Sequence, residues 1–317
     1  MIGPEDVERA HDRIAAHVRE TPLWPSSAPS TSTGAAVRLK LECLQRTGSF
    51  KVRGATNRIA ALADDERRAG VVAASGGNHA QGVALAARRV GVDATIVMPV
   101  ATSPGKVRAT RELGARVVLH GGDYNEAAAH ARELEARDGL TFVHAFEDPL
   151  VVAGQGTVGL EVRRALEAVD LVVVPIGGGG LIGGIAAAFA DAPTRVVGVQ
   201  AAGATSASRS LEAGRVVELD AVDTVAEGMA TRHVGELPLA LMEAHVDAVV
   251  TVSDDDLEAA IRHLLATDRV LAEHAGAAAV AGLLTGAVDV DDAESVVPVV
   301  SGGNLDLAEL RAILPEA

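Results

Sequence analysis

The chain has 317 residues, and its 43 acidic against 28 basic residues give a formal net charge of −15. This charge argues against a nucleic-acid-binding protein, which needs clustered positive charge to neutralise phosphates. With 48% apolar and 22% charged residues, the composition is that of a globular protein, and the length predicts two domains. The single cysteine, Cys43, excludes an intrachain disulfide framework and a multi-cysteine zinc site, and it fits a reducing cytoplasm.

The first forty residues predict a surface helix over residues 4–20 and a half-buried strand over 37–41. From residue 70 onward, β-branched runs alternate with alanine-rich segments, which is the pattern of a doubly wound α/β architecture in two lobes. The predicted strands cover residues 71–74, 94–98, 116–119, 171–174, 195–200, 248–252 and 295–300. The predicted helices begin near Asn78, Ser103, Asp123, Thr157, Leu181, Ser206, Asp254 and Ala272.

Residues 171–190 carry no charge and are numerous enough to span a membrane as a helix. They include Pro175 and four consecutive glycines, which would disrupt a helix interior. We therefore predict a buried strand, a glycine loop and a helix, and no membrane segment. The amino-terminal residues are charged throughout and show no secretory signal.

The chain contains three lysines. Lys40 lies between two leucines of a predicted strand and Lys106 lies among arginines, so we expect both to be solvated. Lys51 follows Phe50 in a loop that turns into a helix. A lysine there is usually a surface residue, but a partly desolvated amine has a lowered pKa and can form a Schiff base with a carbonyl.

Three glycine-rich loops each follow a predicted strand and precede a predicted helix, at the edge where open α/β sheets bind ligands. They are Ser-Gly-Gly-Asn-His at residues 75–79, four glycines at 177–180, and Ser-Gly-Gly-Asn at 301–304. The four-glycine loop suits a phosphate, because unhindered backbone N–H groups and a helix amino terminus meet there. Each loop alone could be a tight turn. Together with Lys51, the loops suggest an aldehyde cofactor that carries a phosphate.

These motifs resemble those of the fold-type II pyridoxal-phosphate enzymes, in the branch of the threonine/serine dehydratases and serine racemases. The resemblance covers nearly the whole chain, with five motifs in order that begin at Ser49, Ser75, Gly154, Pro175 and Ser301. It implies a two-lobed fold similar to tryptophan synthase β, with twisted, mostly parallel sheets flanked by helices. It also implies a large cofactor-binding domain of residues 1–64 and 148–317 and a small domain of residues 65–147.

The resemblance assigns expected roles to individual residues, with Lys51 as the catalytic Schiff-base lysine. The residues expected to bind pyridoxal 5′-phosphate are Phe50, Lys51, Asn78, Gly177, Gly178, Gly179, Gly180, Leu181, Gly228, Glu273 and Ser301. The residues expected to receive the substrate carboxylate are Ser75, Gly76, Gly77, Asn78 and His79. Asn78 matches the residue that hydrogen-bonds the ring hydroxyl, and Ser301 matches the residue bonded to the pyridine nitrogen. His274 departs from the family motif, which has proline at this position.

The implied reaction is β-elimination of water from L-threonine or L-serine, giving a 2-oxo acid and ammonia, in a cytoplasmic homodimer. An amino-acid racemase or a 3-hydroxyaspartate dehydratase would use the same cofactor machinery. Gly76 stands where serine racemases have the second serine of their loop, so elimination is expected to exceed racemisation. An amino-acid-binding regulatory module and a dinucleotide-dependent oxidoreductase are alternatives from other classes.

Two absences are also expected. The positions that match the divalent-metal site of some relatives are Gln200, Ala204 and Ser206, which lack carboxylates, so no metal is expected. The chain ends soon after the loop at residue 301, so the carboxy-terminal regulatory domain of biosynthetic threonine dehydratases is not expected.

Overall fold

The computed structural model describes residues 1–26 and 34–314, and its strands form two sheets. The strands are β1 (Leu23–Ser26), β2 (Ala36–Leu41), β3 (Val71–Ala74), β4 (Ala94–Met98), β5 (Arg116–Leu119), β6 (Thr141–Phe142), β7 (Leu171–Pro175), β8 (Arg195–Ala201), β9 (Ala248–Val252) and β10 (Ser295–Val300). The α-helices are α1 (Pro4–Ile14), α2 (Lys51–Ala60), α3 (Asp64–Ala69), α4 (Asn78–Val90), α5 (Pro104–Glu112), α6 (Tyr124–Asp138), α7 (Pro149–Ala165), α8 (Gly180–Ala188), α9 (Ser206–Ala213), α10 (Glu236–His245), α11 (Asp254–His263), α12 (His274–Leu284) and α13 (Leu307–Ile313). A 3-10 turn (Glu42–Leu44) follows β2, and a π-helical turn (Leu264–Asp268) follows α11.

The larger sheet has the strand order β1-β2-β10-β7-β8-β9, and the smaller sheet has the order β5-β4-β3-β6. Only β1 and β2 pair antiparallel among the described strand pairs. Helices cover both faces of each sheet, and successive residues of β7 point alternately into two apolar clusters. This mostly parallel α/β architecture confirms the predicted fold class. The domain boundaries stay a prediction, although the smaller sheet comes from one continuous stretch of chain.

Most predicted strands have the predicted bounds, and the three over 37–41, 171–174 and 195–200 are each one residue longer. Strands covered by helices on both faces have nearly continuous apolar sequences, which makes them easy to recognise. Strand β1 was not predicted because it is a short edge strand that contains Pro25. Over residues 1–26 and 34–314, no helix has the length and apolar character needed to cross a bilayer.

Two helix predictions are wrong in their bounds. The first helix ends at Ile14 instead of residue 20. Helix α7 starts at Pro149 instead of Thr157, because the Asp148 carboxylate caps it by accepting from the Leu150 and Val151 amides. The motif that begins at Gly154 therefore lies inside this helix, not before it.

The glycines of that motif let helices approach closely. A Cβ on Gly154 would lie 2.7 Å from the Gly54 Cα in α2, and one on Gly156 would lie 2.5 Å from the carbonyl oxygen of Gly184 in α8. Gln155 adds a hydrogen bond, since its Oε1 accepts from the Gly54 amide at 3.1 Å. The motif therefore fixes the packing of α7 against α2 and α8.

The expectation that Lys40 is solvated is wrong. Only 1% of its side chain is exposed, and Nζ lies 2.5 Å from Glu161 Oε2. Strand β2 lies between β1 and β10 and is covered on both faces, so the alternation of its sequence does not place Lys40 in solvent. Lys106 is partly exposed, with Nζ 2.5 Å from Glu227 Oε2.

Lys40 belongs to a buried ion quartet formed with Glu42, Arg53 and Glu161. The Arg53 guanidinium is fully buried and donates to Glu42 Oε2 at 2.8 Å and to Glu161 Oε1 at 2.6 Å. Burial alone would raise the pKa of Glu42, but Arg53 and Lys40 outweigh this effect and lower it. The four charges sum to zero, which lets them be buried together.

Helix α2 contacts both lobes. It packs against α4, which covers the smaller sheet, and against α7, which covers the larger sheet. Through Arg53, the ion quartet ties α2 to the 3-10 turn that follows β2 and to α7. The first residue of α2 is Lys51, so the fold places this amine at the junction of the two lobes.

Candidate active site

The loops at residues 176–179 and 301–304 follow the neighbouring parallel strands β7 and β10, so they lie at the same edge of the larger sheet. The residues before Lys51 join this edge. Ser49 forms an antiparallel bridge with Gly302, and the Phe50 amide donates to the Ser301 carbonyl at 3.1 Å. The chain therefore delivers Lys51 to the loop that follows β10.

The Lys51 amine is held by one backbone contact. Nζ donates to the Ala145 carbonyl at 3.0 Å and lies 5.1 Å from the centroid of the Phe50 ring. Burial lowers the pKa of Lys51 to about 8, and the nearby Glu273 carboxylate opposes this shift. A substantial fraction of the amine is thus neutral near pH 8, as a nucleophile or a general base requires.

Asn78 and Glu273 meet across the lobes. Asn78 Nδ2 donates to Glu273 Oε1 at 2.6 Å, and Asn78 Oδ1 accepts from Asn304 Nδ2 at 2.6 Å. Burial raises the pKa of Glu273 to about 7, although the hydrogen bond from Asn78 lowers it. The structure therefore joins two of the predicted cofactor-binding residues directly.

The four-glycine turn is enclosed by protein. A Cβ on Gly177 would lie 2.5 Å from the carbonyl oxygen of Gly228, and one on Gly178 would overlap the Phe146 ring. Gly179 has a φ of +88°, which favours glycine. The turn ends at the amino terminus of α8, where Leu181 is buried, and such a terminus binds anions through its free N–H groups. The backbone thus forms a cradle that tolerates no side chain.

The loop at residues 75–79 lies at the amino terminus of α4. The Ser75 hydroxyl accepts from the Gly77 amide at 3.1 Å, and a Cβ on Gly76 would lie 3.0 Å from Thr102 Oγ1. His79 is buried, and its Nε2 lies 2.9 Å from the Val143 carbonyl, which only accepts. Burial and the neighbouring Lys51 lower the pKa of His79 to about 3. The His79 side chain is therefore neutral and anchors the loop.

Ser301 offers a neutral hydroxyl. It is 4% exposed, and its Oγ donates to the Ala275 carbonyl at 3.4 Å. Gly228 also lies near Ala275, because a Cβ on Gly228 would be 2.9 Å from the Ala275 Cβ. Ser301 and Gly228 thus border the same residue.

Sequence reasoning missed the segment between β6 and α7. Ala145 holds the Lys51 amine, and Phe146 covers Gly178 and Gly180, so this segment links the amine to the glycine cradle. It follows a parallel strand like the other loops, but β6 has only two residues and was not recognised.

The positions matched to a divalent-metal site are engaged elsewhere. Gln200 Nε2 donates to Ser208 Oγ at 2.7 Å, and Ser206 Oγ lies 3.5 Å from the Thr231 carbonyl. Within the described part of the chain, no group of three or more His, Cys, Asp or Glu side chains is placed to hold a metal ion.

These groups fit a phosphorylated aldehyde. The glycine cradle would hold the phosphate, the Lys51 amine has the reactivity that a carbonyl needs, and the Asn78 amide and Ser301 hydroxyl supply neutral hydrogen-bonding groups. The fold and the site together define an α/β enzyme that binds such a cofactor between two lobes.

Comparison with known proteins agrees with this class. Residues 14–302 match the family model described as pyridoxal-phosphate dependent enzyme, and the chain belongs to this family. It is 45% identical to the L-threonine ammonia-lyase of Thermotoga maritima over 316 residues, which are 99% of this chain and 78% of the relative.

Two solved structures extend the comparison. The processed form of threonine deaminase isoform 2 from Solanum lycopersicum has a TM-score of 0.90 and 39% identity, covering 98% of this chain and 87% of that chain. Maize serine racemase has a TM-score of 0.94 and 32% identity, covering 98% and 96%. The predicted family, fold class and cofactor are confirmed.

Proposed function

We propose that the protein removes water from L-threonine or L-serine by pyridoxal-phosphate-dependent β-elimination, giving a 2-oxo acid and ammonia. The observation that carries the proposal is the position of the Lys51 amine, whose pKa is about 8. Its hydrogen-bond acceptor, Ala145, is followed by Phe146, which packs against the glycine cradle. The similarity to the L-threonine ammonia-lyase of Thermotoga maritima supports this choice of reaction.

The cofactor would be held by residues from both lobes. We assign the phosphate to the cradle of Gly177, Gly178, Gly179 and Gly180 with the amino terminus of α8, the ring oxygen to Asn78, and the pyridine nitrogen to Ser301. Phe50, Leu181, Gly228 and Glu273 would complete the binding site. When bound, pyridoxal phosphate supplies the electron sink for a negative charge that develops at the substrate Cα.

Lys51 is the residue that moves the proton. Its neutral amine accepts the Cα proton of the amino acid, and a larger fraction of the amine is neutral near pH 8 because burial lowers its pKa to about 8. The substrate carboxylate would be received by the backbone of residues 75–79, where the Ser75 hydroxyl shapes the loop. Such fixed contacts hold the Cα–H bond toward Nζ.

Ser301 favours elimination over reactions that need a long-lived carbanion. A hydroxyl is neutral, so it does not keep a pyridine nitrogen protonated as a carboxylate would. With a weaker electron sink, loss of the β-hydroxyl competes better with reprotonation at other carbons.

A racemase is the second candidate, because the fold matches that of maize serine racemase. Racemisation requires a second proton donor on the opposite face of Cα, and Gly76 has no proton to give there. A Cβ on Gly76 would lie 3.0 Å from Thr102 Oγ1, so a serine at this position would require the Thr102 side chain to shift. We therefore assign elimination as the main reaction.

The test is a substrate screen of the holoenzyme. L-threonine, L-serine and 3-hydroxyaspartate are each incubated with enzyme, and both 2-oxo acid release and the D-amino acid are measured. We expect 2-oxo acid from L-threonine or L-serine in large excess over D-serine. If D-serine forms faster than pyruvate, the protein is a racemase, and if 3-hydroxyaspartate alone reacts, it is the dehydratase of that substrate.

The proposal includes a cytoplasmic location and a homodimer, which rest on the family resemblance. It also includes the division into a large domain of residues 1–64 and 148–317 and a small domain of residues 65–147. The smaller sheet, whose strands lie within residues 71–142, supports this division.

A further inference from the structure

Asn304 contacts two acceptors with one nitrogen atom. Its Nδ2 donates to the Thr47 carbonyl at 2.8 Å and to Asn78 Oδ1 at 2.6 Å. Asn78 then donates from its own Nδ2 to Glu273 Oε1 at 2.6 Å. Two side-chain amides therefore connect a backbone carbonyl to a carboxyl group through three hydrogen bonds.

The backbone carbonyl fixes the direction of this chain of hydrogen bonds. A carbonyl oxygen only accepts, so the Asn304 atom that faces Thr47 has to be the nitrogen. The same nitrogen contacts Asn78, so the Asn78 atom facing it has to be the oxygen. Turning over either amide would place two donors or two acceptors against each other.

Glu273 alone would not fix the Asn78 amide. Because burial raises the pKa of Glu273 to about 7, its carboxyl group is a mixture of protonated and ionised forms near neutral pH. An ionised carboxylate accepts from Nδ2, whereas a protonated carboxyl group can donate to Oδ1. The orientation of Asn78 is therefore set from the Asn304 side.

The position of Asn304 is built into the loops. The Gly303 amide donates to the Gly48 carbonyl at 2.8 Å, and Gly48 has a φ of +71°. A Cβ on Gly48 would overlap the Asn304 amide oxygen. The Asn304 side chain thus occupies space that a glycine leaves open.

We propose that Asn304 is a positioning residue, which orients the Asn78 amide so that its NH₂ group is available to the cofactor. Glu273 accepts from one of the two Asn78 N–H bonds, and within the described part of the chain the other has no hydrogen-bond acceptor, so it can donate to the ring oxygen. This inference rests on the proposed role of Asn78 at that oxygen. It adds a residue, Asn304, that itself need not touch the cofactor.

The test is Asn304→Asp, measured on the resting holoenzyme. An aspartate accepts from Asn78 Nδ2, so the Asn78 amide turns and presents its oxygen to the site. The ring oxygen then loses a donor that stabilises its negative charge, and it holds its proton to higher pH. We expect the pH midpoint of the visible absorption of the bound cofactor to rise by about one unit. We expect kcat/KM to fall about tenfold or more, as for the loss of a hydrogen bond to a charged group.

The double variant Asn304→Asp/Glu273→Gln separates positioning from stability. The glutamine introduced by Glu273→Gln can donate to the oxygen of the turned Asn78, so the Asn78 amide is paired again on both sides. The melting temperature should then recover part of what Asn304→Asp costs, while the Thr47 carbonyl still lacks the donor that Asn304 supplies. The pH midpoint should stay about one unit above that of Glu273→Gln alone, because the NH₂ group still faces away. A purely structural role of Asn304 predicts that both quantities recover.

Asn78→Asp removes the proposed donor directly and should raise the midpoint in the same direction. An unchanged midpoint in Asn78→Asp would overturn the role of Asn78. A shifted midpoint there with an unchanged one in Asn304→Asp would overturn the role of Asn304. Should Asn304→Asp not fold, Asn304→Ala is measured in the same way, and an unchanged midpoint again overturns the proposal. The midpoint is read without substrate, so it does not depend on which amino acid the enzyme converts.

Discussion

The reactivity of Lys51 comes from where the fold places it. Its amine has a single hydrogen-bond acceptor from the protein, the Ala145 carbonyl, and no ion pair within 4.0 Å among the described residues. Lys40, by contrast, contacts a carboxylate directly. The two lysines differ in their partners and in their exposure, since Lys40 is buried and Lys51 is half-buried.

Lys51→Ala is expected to abolish turnover and the visible absorption of the lysine-bound cofactor. The variant lacks both the nitrogen that reacts with a carbonyl and the base that accepts the Cα proton, and loss of a general base alone costs roughly 10²–10⁴-fold in rate. Turnover is measured as 2-oxo acid release, with Lys106→Arg as the control that keeps both signals. Normal activity of Lys51→Ala without an added amine would refute the assignment.

Single residues were predictable where a motif marked them. Lys51, Asn78 and Ser301 lie in motifs. The structure brings Lys51 and Ser301 to the same edge of the larger sheet and places Asn78 across from that edge. Ala145 and Phe146 carry no comparable pattern, because a backbone carbonyl and a ring surface become part of a site only through tertiary contact. The direction of the Asn78 amide depends on Asn304, far away in the sequence, and no local pattern encodes it.

At the scale of elements, the glycine turn before α8 depends on backbone approach. Gly177→Ala would push a Cβ against the Gly228 carbonyl, which is backbone and does not move aside easily. We expect Gly177→Ala to weaken retention of the cofactor at least about tenfold, measured by its loss during dialysis. Gly183→Ala, in α8 itself, meets the flexible Leu241 side chain at 3.3 Å and should retain the cofactor. Equal retention in the two variants would contradict the proposed cradle.

The ion quartet makes a second prediction at this scale. Lys40→Met leaves two carboxylates against one guanidinium, all buried, so the free energy of unfolding should fall by about 3–5 kcal/mol. The matched control is Lys106→Met, whose partner Glu227 is mostly exposed, and it should cost less than about 1 kcal/mol. Denaturant unfolding measures both. Adding Glu161→Gln to Lys40→Met restores neutrality and should recover part of the loss, which distinguishes charge from packing.

Elements were predictable where their apolar pattern was continuous. Strands β3, β4 and β5 of the smaller sheet and strands β7–β10 have such runs and were found almost at their bounds. The burial of β2 was misjudged, because alternation in a sequence indicates two different faces but does not show that either face meets water. Helix α7 was misjudged because glycines, which suggest loops, lie there at helix contacts.

For the whole molecule, we expect activity without a divalent metal ion. Gln200 and Ser206 are neutral, and Gln200 is hydrogen-bonded to Ser208, so nothing there offsets the dehydration of Mg²⁺ or Ca²⁺. Activity should survive EDTA and change little when Mg²⁺ is added. Complete loss on chelation with recovery by Mg²⁺ would contradict this, provided that the coupling enzyme of the assay is metal-independent.

Strand β10 pairs with β2 on one side and with β7 on the other, although most of the chain separates it from β2. During synthesis, β2 and β7 leave the ribosome long before the strand that joins them exists. Strands β3 to β6 come from one short stretch and can pair as they emerge. The smaller lobe is therefore expected to fold first, and the nascent chain must keep the unpaired edges of β2 and β7 from aggregating until β10 arrives.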